Sequence, residues 1–212
     1  MNKPLWITVE TTDKFIKSEV LLKTCAFLLQ QNINITSRAL FFDLEHSRWQ
    51  SDLNIRDDRQ KLLLDRVLQA DILYSVDDAF MNGDSIMTSH GPDSYYLSKD
   101  KQTITQAMFD KLDEIYPFPI LPDITIFVDV PPAKTFPINT GADATVLARR
   151  QALVDQAEQF RQNFFKKIDD DLDKCDRDGT QSRYHIVNGY QSIPLIINDC
   201  NLILSPYFNI DL

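Results

Sequence analysis

Residues 9–18 of this 212-residue chain, VETTDKFIKS, decide which fold the sequence predicts. They follow the apolar run LWITV at 5–9, which predicts a buried strand, and they lead into a helical pattern over about 16–31. A Lys-Ser pair in the first turn of a helix that follows a buried strand is typical of a phosphate-binding loop, or P-loop. This arrangement predicts an α/β fold with Lys17 and Ser18 at the first strand–helix turn.

Lys17, Ser18 and Asp13 are the candidate functional residues of this turn. In a P-loop the backbone N–H groups surround the phosphates, the lysine reaches the β- and γ-phosphate oxygens, and the Ser hydroxyl binds Mg²⁺. Lys17 is therefore a candidate catalytic and nucleotide-binding residue, Ser18 a candidate nucleotide-binding residue and Mg²⁺ ligand, and Asp13 a candidate loop acid. The alternatives are a surface lysine for Lys17 and a helix-capping serine for Ser18.

The glycines of a P-loop are missing from this turn. They let the backbone adopt a positive φ and approach the phosphates closely, but the corresponding positions here hold Thr11, Lys14 and Ile16. A β-branched residue such as Ile16 is the least suited to a left-handed conformation. Only five glycines occur in the chain, and the first is Gly83. The sequence therefore predicts that the fold is kept while the phosphate chemistry is impaired.

Strand-like and helix-like patterns alternate along the rest of the chain. Apolar runs predict further strands near 32–42, 85–88, 123–130 and 185–187, and helical periodicity predicts further helices near 56–80, 103–116, 144–175 and 192–201. Such alternation implies a three-layer α/β fold in which a central parallel sheet is flanked by helices. We expect one domain over 1–212, with the ligand site at the carboxyl ends of the strands.

The charge and the cysteine content exclude several classes of protein. A net charge of −9 disfavours binding of long nucleic acids, which requires a basic surface. The three cysteines are far apart and odd in number, as expected for reduced thiols in the cytoplasm rather than for a disulfide framework or a zinc site. No apolar run reaches the ~18 residues of a membrane span, and no signal peptide precedes the first strand. We therefore expect a cytoplasmic protein without a membrane segment.

Residues 121–132, LPDITIFVDVPP, resemble the strand motif L-P-D-L-T-I-Y-L-D-V-P-P of the thymidylate kinase family, a group of P-loop nucleoside monophosphate kinases. The similarity extends in order over nearly the whole chain. Residues 183–188, RYHIVN, match the last strand of the family. Its opening motif, E-G-x-D-G-x-G-K-[ST], aligns with Glu10, Asp13, Lys17 and Ser18. The chain is thus similar to a divergent member of this family with degenerate motifs.

The resemblance implies roles for further residues. The T-R of the family's second strand corresponds to Ser37-Arg38, and its Asp-Arg pair near the nucleobase corresponds to Asp65-Arg66. The implied nucleotide-binding residues are Asp13, Lys17, Ser18, Arg38, Arg66 and, in the substrate loop, Ser94 and Tyr95. The implied catalytic residues are Lys17 and the lid arginines Arg149 and Arg150. For each arginine the alternative is an ordinary ion pair or a solvated helix face.

The resemblance also implies ATP and Mg²⁺ as cofactors, a thymidine nucleotide as ligand, and a homodimer formed through helices. The chain departs from the family's motifs at one further place. The family's third strand ends in D-R-[YF], whereas this chain has Ser89, His90 and Gly91 there. The loss of the acid and the arginine disfavours catalysis. We therefore predict a catalytically impaired pseudokinase, with or without ATP and Mg²⁺, that senses nucleotides or binds a protein. The alternatives are an active kinase that converts dTMP and ATP to dTDP and ADP, and an interaction module that binds no nucleotide.

Overall fold

The computed structural model describes residues 3–38, 57–93, 106–115, 120–136 and 143–211. Within these residues lie five strands and six helices. The strands are β1 (Trp6–Glu10), β2 (Ile35–Arg38), β3 (Ser85–Thr88), β4 (Ile124–Asp129) and β5 (Tyr184–Asn188). The helices are α1 (Lys14–Gln30), α2 (Asp58–Met81), α3 (Gln106–Ile115), α4 (Pro132–Thr135), α5 (Ala144–Asp178) and α6 (Ile193–Phe208).

The five strands form one parallel sheet in the order β2-β3-β1-β4-β5. β1 lies at its centre, where Ile7 pairs with Met87 of β3 on one side and with Ile124 of β4 on the other. Every residue of β1 is buried, which is why this strand appears in the sequence as a continuous apolar run rather than as an alternation. The predicted α/β fold with a central parallel sheet is confirmed.

Helices α1 and α6 cover one face of the sheet. Leu21 of α1 and Leu204 of α6 belong to the same buried cluster as Val9 of β1. Both helices follow strands that end at the same edge of the sheet, so they start beside the carboxyl ends of β1 and β5. This cluster is the main core of the protein.

Helices α2 and α5 cover the opposite face and complete the three layers. Trp6 of β1 packs with Val76 of α2. Phe127 of β4 stacks on Phe164 of α5, with ring centroids 4.4 Å apart and an angle of 8° between the ring planes. The layer order is therefore helices, sheet, helices, as the sequence predicts.

Among the helix boundaries that differ from the sequence-based prediction, the start of α1 and the end of α6 have clear physical reasons. Helix α1 begins at Lys14 rather than near residue 16, because Asp13 caps the helix. Helix α6 continues to Phe208 rather than ending near residue 201, because Leu204 and Phe208 follow Cys200 at four-residue spacing on the buried face. Of the strand predicted at 32–42, residues 39–42 lie outside the described residues.

The three cysteines are free, as the sequence predicts. Burial raises the pKa of both Cys25 and Cys200 to about 12, so these two thiols stay protonated at neutral pH. No helix in the described ranges is long and apolar enough to cross a membrane.

Phe164→Ala is expected to destabilise the fold by about 3–5 kcal/mol, because it removes a fully buried ring that stacks on Phe127. Phe15→Ala is the matched control, since that ring is 65% exposed, and its effect is expected to stay below ~0.5 kcal/mol. Urea denaturation followed by circular dichroism measures both free energies of unfolding. Equal effects of the two substitutions would contradict the packing of α5 against the sheet.

Candidate functional site

The carboxyl ends of β1 and β4 mark the place where this fold is expected to bind a ligand. The chain leaves β1 toward β2 on one side of the sheet and leaves β4 toward β5 on the other, so the two connections diverge there. The Thr12 hydroxyl donates a hydrogen bond to the carbonyl oxygen of Val130 at 3.2 Å and links the two loops. The residues around Glu10, at the end of β1, therefore make up the candidate site.

Only residues 11–13 connect β1 to α1, because Asp13 caps the helix. The Asp13 backbone is extended (φ −102°, ψ 107°), and its carboxylate accepts a hydrogen bond from the backbone N–H of Ile16 at 3.0 Å. Residues 14–16, which a P-loop holds in the loop around the phosphates, form the first helical turn. Ile16 anchors this turn in the core. The turn is thus a capped helix start.

Two of the backbone N–H groups at this helix start already have acceptors in the chain. The N–H of Ile16 donates to the Asp13 carboxylate, and the N–H of Lys17 donates to the Asp13 carbonyl oxygen at 2.9 Å. A helix N-terminus attracts anions, and here the carboxylate of Asp13 takes that place. A nucleotide-binding role for Asp13 stays a prediction.

The side chain of Lys17 is buried and is paired with Glu10. Lys17 is 6% exposed, and its ammonium nitrogen lies 3.7 Å from Glu10 Oε2. Glu10 is fully buried, and its Oε1 accepts a hydrogen bond from the backbone N–H of Gly91 at 3.0 Å. The positive charge that a phosphate site requires is thereby balanced by a carboxylate of the same chain.

Gly91 lies close against β1 in the segment that follows β3. A Cβ atom at this position would lie only 2.8 Å from Thr8 Cγ2, so glycine is needed for the close contact. Ser89 is buried in the same segment, and the Thr88 hydroxyl donates a hydrogen bond to the carbonyl oxygen of His90 at 2.8 Å. The place of the family's acid–Arg pair is thus a tightly packed turn.

Ser18, the predicted Mg²⁺ ligand, makes a local hydrogen bond within α1. Its hydroxyl donates to the carbonyl oxygen of Lys14 at 3.0 Å, a common arrangement for serine in a helix. Among the described residues, no group of three or more His, Cys, Asp or Glu side chains is arranged to hold a metal ion. Binding of Mg²⁺ by Ser18 stays a prediction.

Two of the predicted functional arginines bind acceptors of the protein itself. Arg38, at the end of β2, pairs with Asp71 of α2 at 2.6 Å. Arg150, in the second turn of α5, donates from Nε to the carbonyl oxygen of Phe136 at 2.6 Å. An arginine with a purely structural role makes contacts of the same kind. The nucleotide-binding role of Arg38 and the catalytic role of Arg150 stay predictions.

The remaining predicted residues differ in their surroundings. Arg66 is buried in α2 and donates to the Gln69 side chain at 3.4 Å and to the carbonyl oxygen of Leu112 at 3.5 Å. Arg149 is exposed on α5. Ser94 and Tyr95 lie outside the described residues. Binding of a nucleotide by Arg66, Ser94 and Tyr95 stays a prediction, and so does the catalytic role of Arg149.

Two further acids beside the sheet are neutralised by ion pairs that the sequence does not predict. Asp129, the last residue of β4, binds the Arg161 guanidinium with both carboxylate oxygens, and its hydrogen bond raises the pKa of Arg161. Asp93, which is 1% exposed, pairs with Arg183 at 2.8 Å and with Lys167 at 3.1 Å. These partners are distant in the chain, so no local pattern predicts them.

No model of a known protein family matches this chain, and no curated protein sequence matches it either. The similarity to thymidylate kinases therefore depends on the motifs quoted above and stays a prediction. The geometry of the β1–α1 turn gives stronger evidence about function than these motifs do.

This geometry does not fit the phosphates of ATP. A phosphate at the start of α1 would meet the negative charges of Asp13 and Glu10, whose partners are the groups that a phosphate would need. To admit it, Asp13 would have to release the N–H of Ile16, and Lys17 would have to leave Glu10.

Lys17→Met is expected to lower the free energy of unfolding by about 3–5 kcal/mol, because it removes the cation of Lys17 from beside the buried Glu10 carboxylate. The double variant Glu10→Gln/Lys17→Met is expected to recover at least half of this loss, since it removes both charges. Urea denaturation at neutral pH measures the three proteins.

Lys23→Met is the matched control for Lys17→Met. Lys23 lies on the same helix and pairs with Glu19 at 2.8 Å, but its side chain is 55% exposed, so its loss is expected to cost less than ~0.5 kcal/mol. A Lys17 held ready for a phosphate in solvent would behave like Lys23, and that outcome would contradict the buried pair.

Proposed function

We propose that this chain is a thymidylate-kinase-like pseudokinase, which keeps the three-layer fold and transfers no phosphoryl group at a significant rate. The observation that supports this proposal best is the buried pair of Lys17 and Glu10. The lysine that would stabilise the transferred phosphate is used instead to neutralise an acid at the end of β1. The fold then serves nucleotide sensing or protein interaction.

The chemistry of phosphoryl transfer makes such a loss decisive. Catalysis depends on positioning and on stabilising negative charge, so it requires loop N–H groups, a lysine, an acid–Arg pair and lid arginines together. Here the N–H of Ile16 is bound by Asp13, and Ser89 and His90 stand in place of the acid–Arg pair. Arg150 donates to a backbone carbonyl. The acid–Arg pair is therefore replaced, and one loop N–H group and one lid arginine are bound to other groups of the chain.

The energy of the buried pair also limits binding of ATP. Separating Lys17 from Glu10 would take a cation away from a buried carboxylate, at a cost of about 3–5 kcal/mol. Because 1.4 kcal/mol corresponds to a tenfold change in affinity, this cost weakens binding through the phosphates by roughly 100- to 1,000-fold or more. Of the two roles of the pseudokinase, protein interaction is therefore favoured over sensing of a nucleotide.

We expect no dTMP-dependent release of ADP from ATP–Mg²⁺ in a coupled assay with the purified protein. In calorimetry, neither ATP–Mg²⁺ nor dTMP is expected to give a binding heat that depends on Lys17. Lys17→Ala is compared with Lys14→Ala, because Lys14 is an exposed lysine at the start of the same helix. Circular dichroism verifies that both variants are folded.

Turnover that requires dTMP and disappears in Lys17→Ala but not in Lys14→Ala would overturn the proposal. It would instead support an active kinase with an unusual phosphate loop. Binding of dTMP without ATP would support the sensing role, and binding of neither nucleotide would support the role in protein interaction.

A homodimer is the second part of this proposal. Three large apolar side chains on the outer face of α2, Leu63, Val67 and Met81, are each more than half exposed, and such a stripe favours pairing of helices. Val67→Glu/Met81→Glu is expected to convert a dimer to a monomer in analytical ultracentrifugation, whereas Phe15→Glu on α1 is expected to leave it intact. A monomeric wild-type protein at high micromolar concentration would contradict the dimer.

A further inference from the structure

A cleft of about 340 Å³ lies between the edge strand β2 and helix α2, away from the β1–α1 turn. One wall is formed by Thr36, Ser37 and Arg38 of β2, and the other is formed by residues of α2 that include Asp71 and Asp78. Asp84, just before β3, lies at one end. The cleft therefore runs along the last three residues of the edge strand.

The backbone of β2 is open on the side away from β3. Ser85 N–H donates to the carbonyl oxygen of Asn34 at 3.0 Å, and Ile35 pairs with Ser85 in the parallel register. In a parallel ladder the bonded residues alternate, so the N–H and C=O groups of Ile35 and Ser37 point to the outer edge. No strand in the described part of the chain pairs with that edge. Both Thr36 and Ser37 are exposed.

The charge of the cleft is negative. Arg38 is matched by Asp71 at 2.6 Å, whereas the carboxylates of Asp78 and Asp84 form no ion pair within the described ranges. Two uncompensated acids therefore line the same cleft as Ser37, whose backbone N–H and C=O point to the open edge. Positive charge complements such a cleft, so a basic segment is the occupant that its charge favours.

We propose that this cleft binds an extended segment of a partner protein that carries Lys or Arg at alternate positions. The segment adds to the sheet as a sixth strand, and its main chain bonds to the N–H and C=O groups of Ile35 and Ser37. Alternate side chains of a strand point to the same face of the sheet, so two basic residues spaced by two reach Asp78 and Asp84 on the α2 side. The open strand edge supplies affinity, and the acids supply selectivity.

The test uses a fluorescein-labelled peptide of alternating Lys and Thr, with the same peptide carrying Glu for Lys as its counterpart. In fluorescence anisotropy at low salt, the full-length protein is expected to bind the Lys peptide and not the Glu peptide. Asp78→Asn/Asp84→Asn is expected to weaken binding by at least about fivefold. Asp77→Asn is the matched control, because Asp77 is an exposed acid of the same helix outside the cleft, and it is expected to change nothing.

A second pair of variants tests the strand edge itself. Ser37→Pro removes the outward N–H without touching the ladder to β3, and it is expected to weaken binding by about tenfold. Ser37→Ala keeps that N–H and is expected to bind like the wild type, with circular dichroism showing that both variants are folded. Equal binding of the Glu peptide, full binding by Ser37→Pro, or no binding of the Lys peptide to the wild type at millimolar concentration would each overturn the proposal.

Discussion

The buried ion pair between Glu10 and Lys17 joins three parts of the protein that meet at the centre of the sheet. Glu10 ends β1, Lys17 belongs to the first turn of α1, and Gly91 follows β3 and donates its N–H to Glu10. A carboxylate that is fully buried must be both paired and hydrogen-bonded, since its desolvation is otherwise too costly. The start of α1 and the path of the chain after β3 are therefore both constrained by this one side chain.

The same pair explains why the turn differs from a phosphate-binding loop. In such a loop, an external phosphate accepts hydrogen bonds from the helix N-terminus and neutralises the lysine. Here Asp13 accepts from the helix N-terminus, and Glu10 neutralises Lys17. Two carboxylates of the chain thus make the contacts that a phosphate would make. A turn without glycine can wind into a helix from Lys14 onward, and the internal acids stabilise that conformation.

The acids near the carboxyl edge of the sheet follow a common pattern. Asp129 at the end of β4 is bound by Arg161, just as Glu10 at the end of β1 is bound by Lys17. Such pairs remove the net positive charge on which nucleotide binding depends. By contrast, the acids of the β2–α2 cleft are only partly matched, since Asp71 pairs with Arg38 while Asp78 and Asp84 have no ion pair within the described ranges.

Much of the fold could be predicted from the sequence, because buried parallel strands and amphipathic helices leave strong local patterns. The run LWITV predicted β1, and DITIFVDV predicted β4. The cap at Asp13 also has a local signal, since Asp is favoured just before a helix. The same stretch matches the P-loop motif, however, and that motif predicts a loop up to Lys17 rather than a helix start at Lys14. The extension of α6 to Phe208 has a weaker local signal, because Pro206 lies inside its last turn and proline usually ends a helix.

The sequence by itself determined the fold class, the alternation of its elements and the absence of glycine from the first turn. Only the tertiary structure decided the strand order and the direction of each charged side chain. Lys17 could equally have faced solvent, because a lysine has a long flexible side chain whose orientation depends on where acids lie in space. Its partner Glu10, and the distant pairs of Asp93 and Asp129, are brought into reach only when the sheet is assembled.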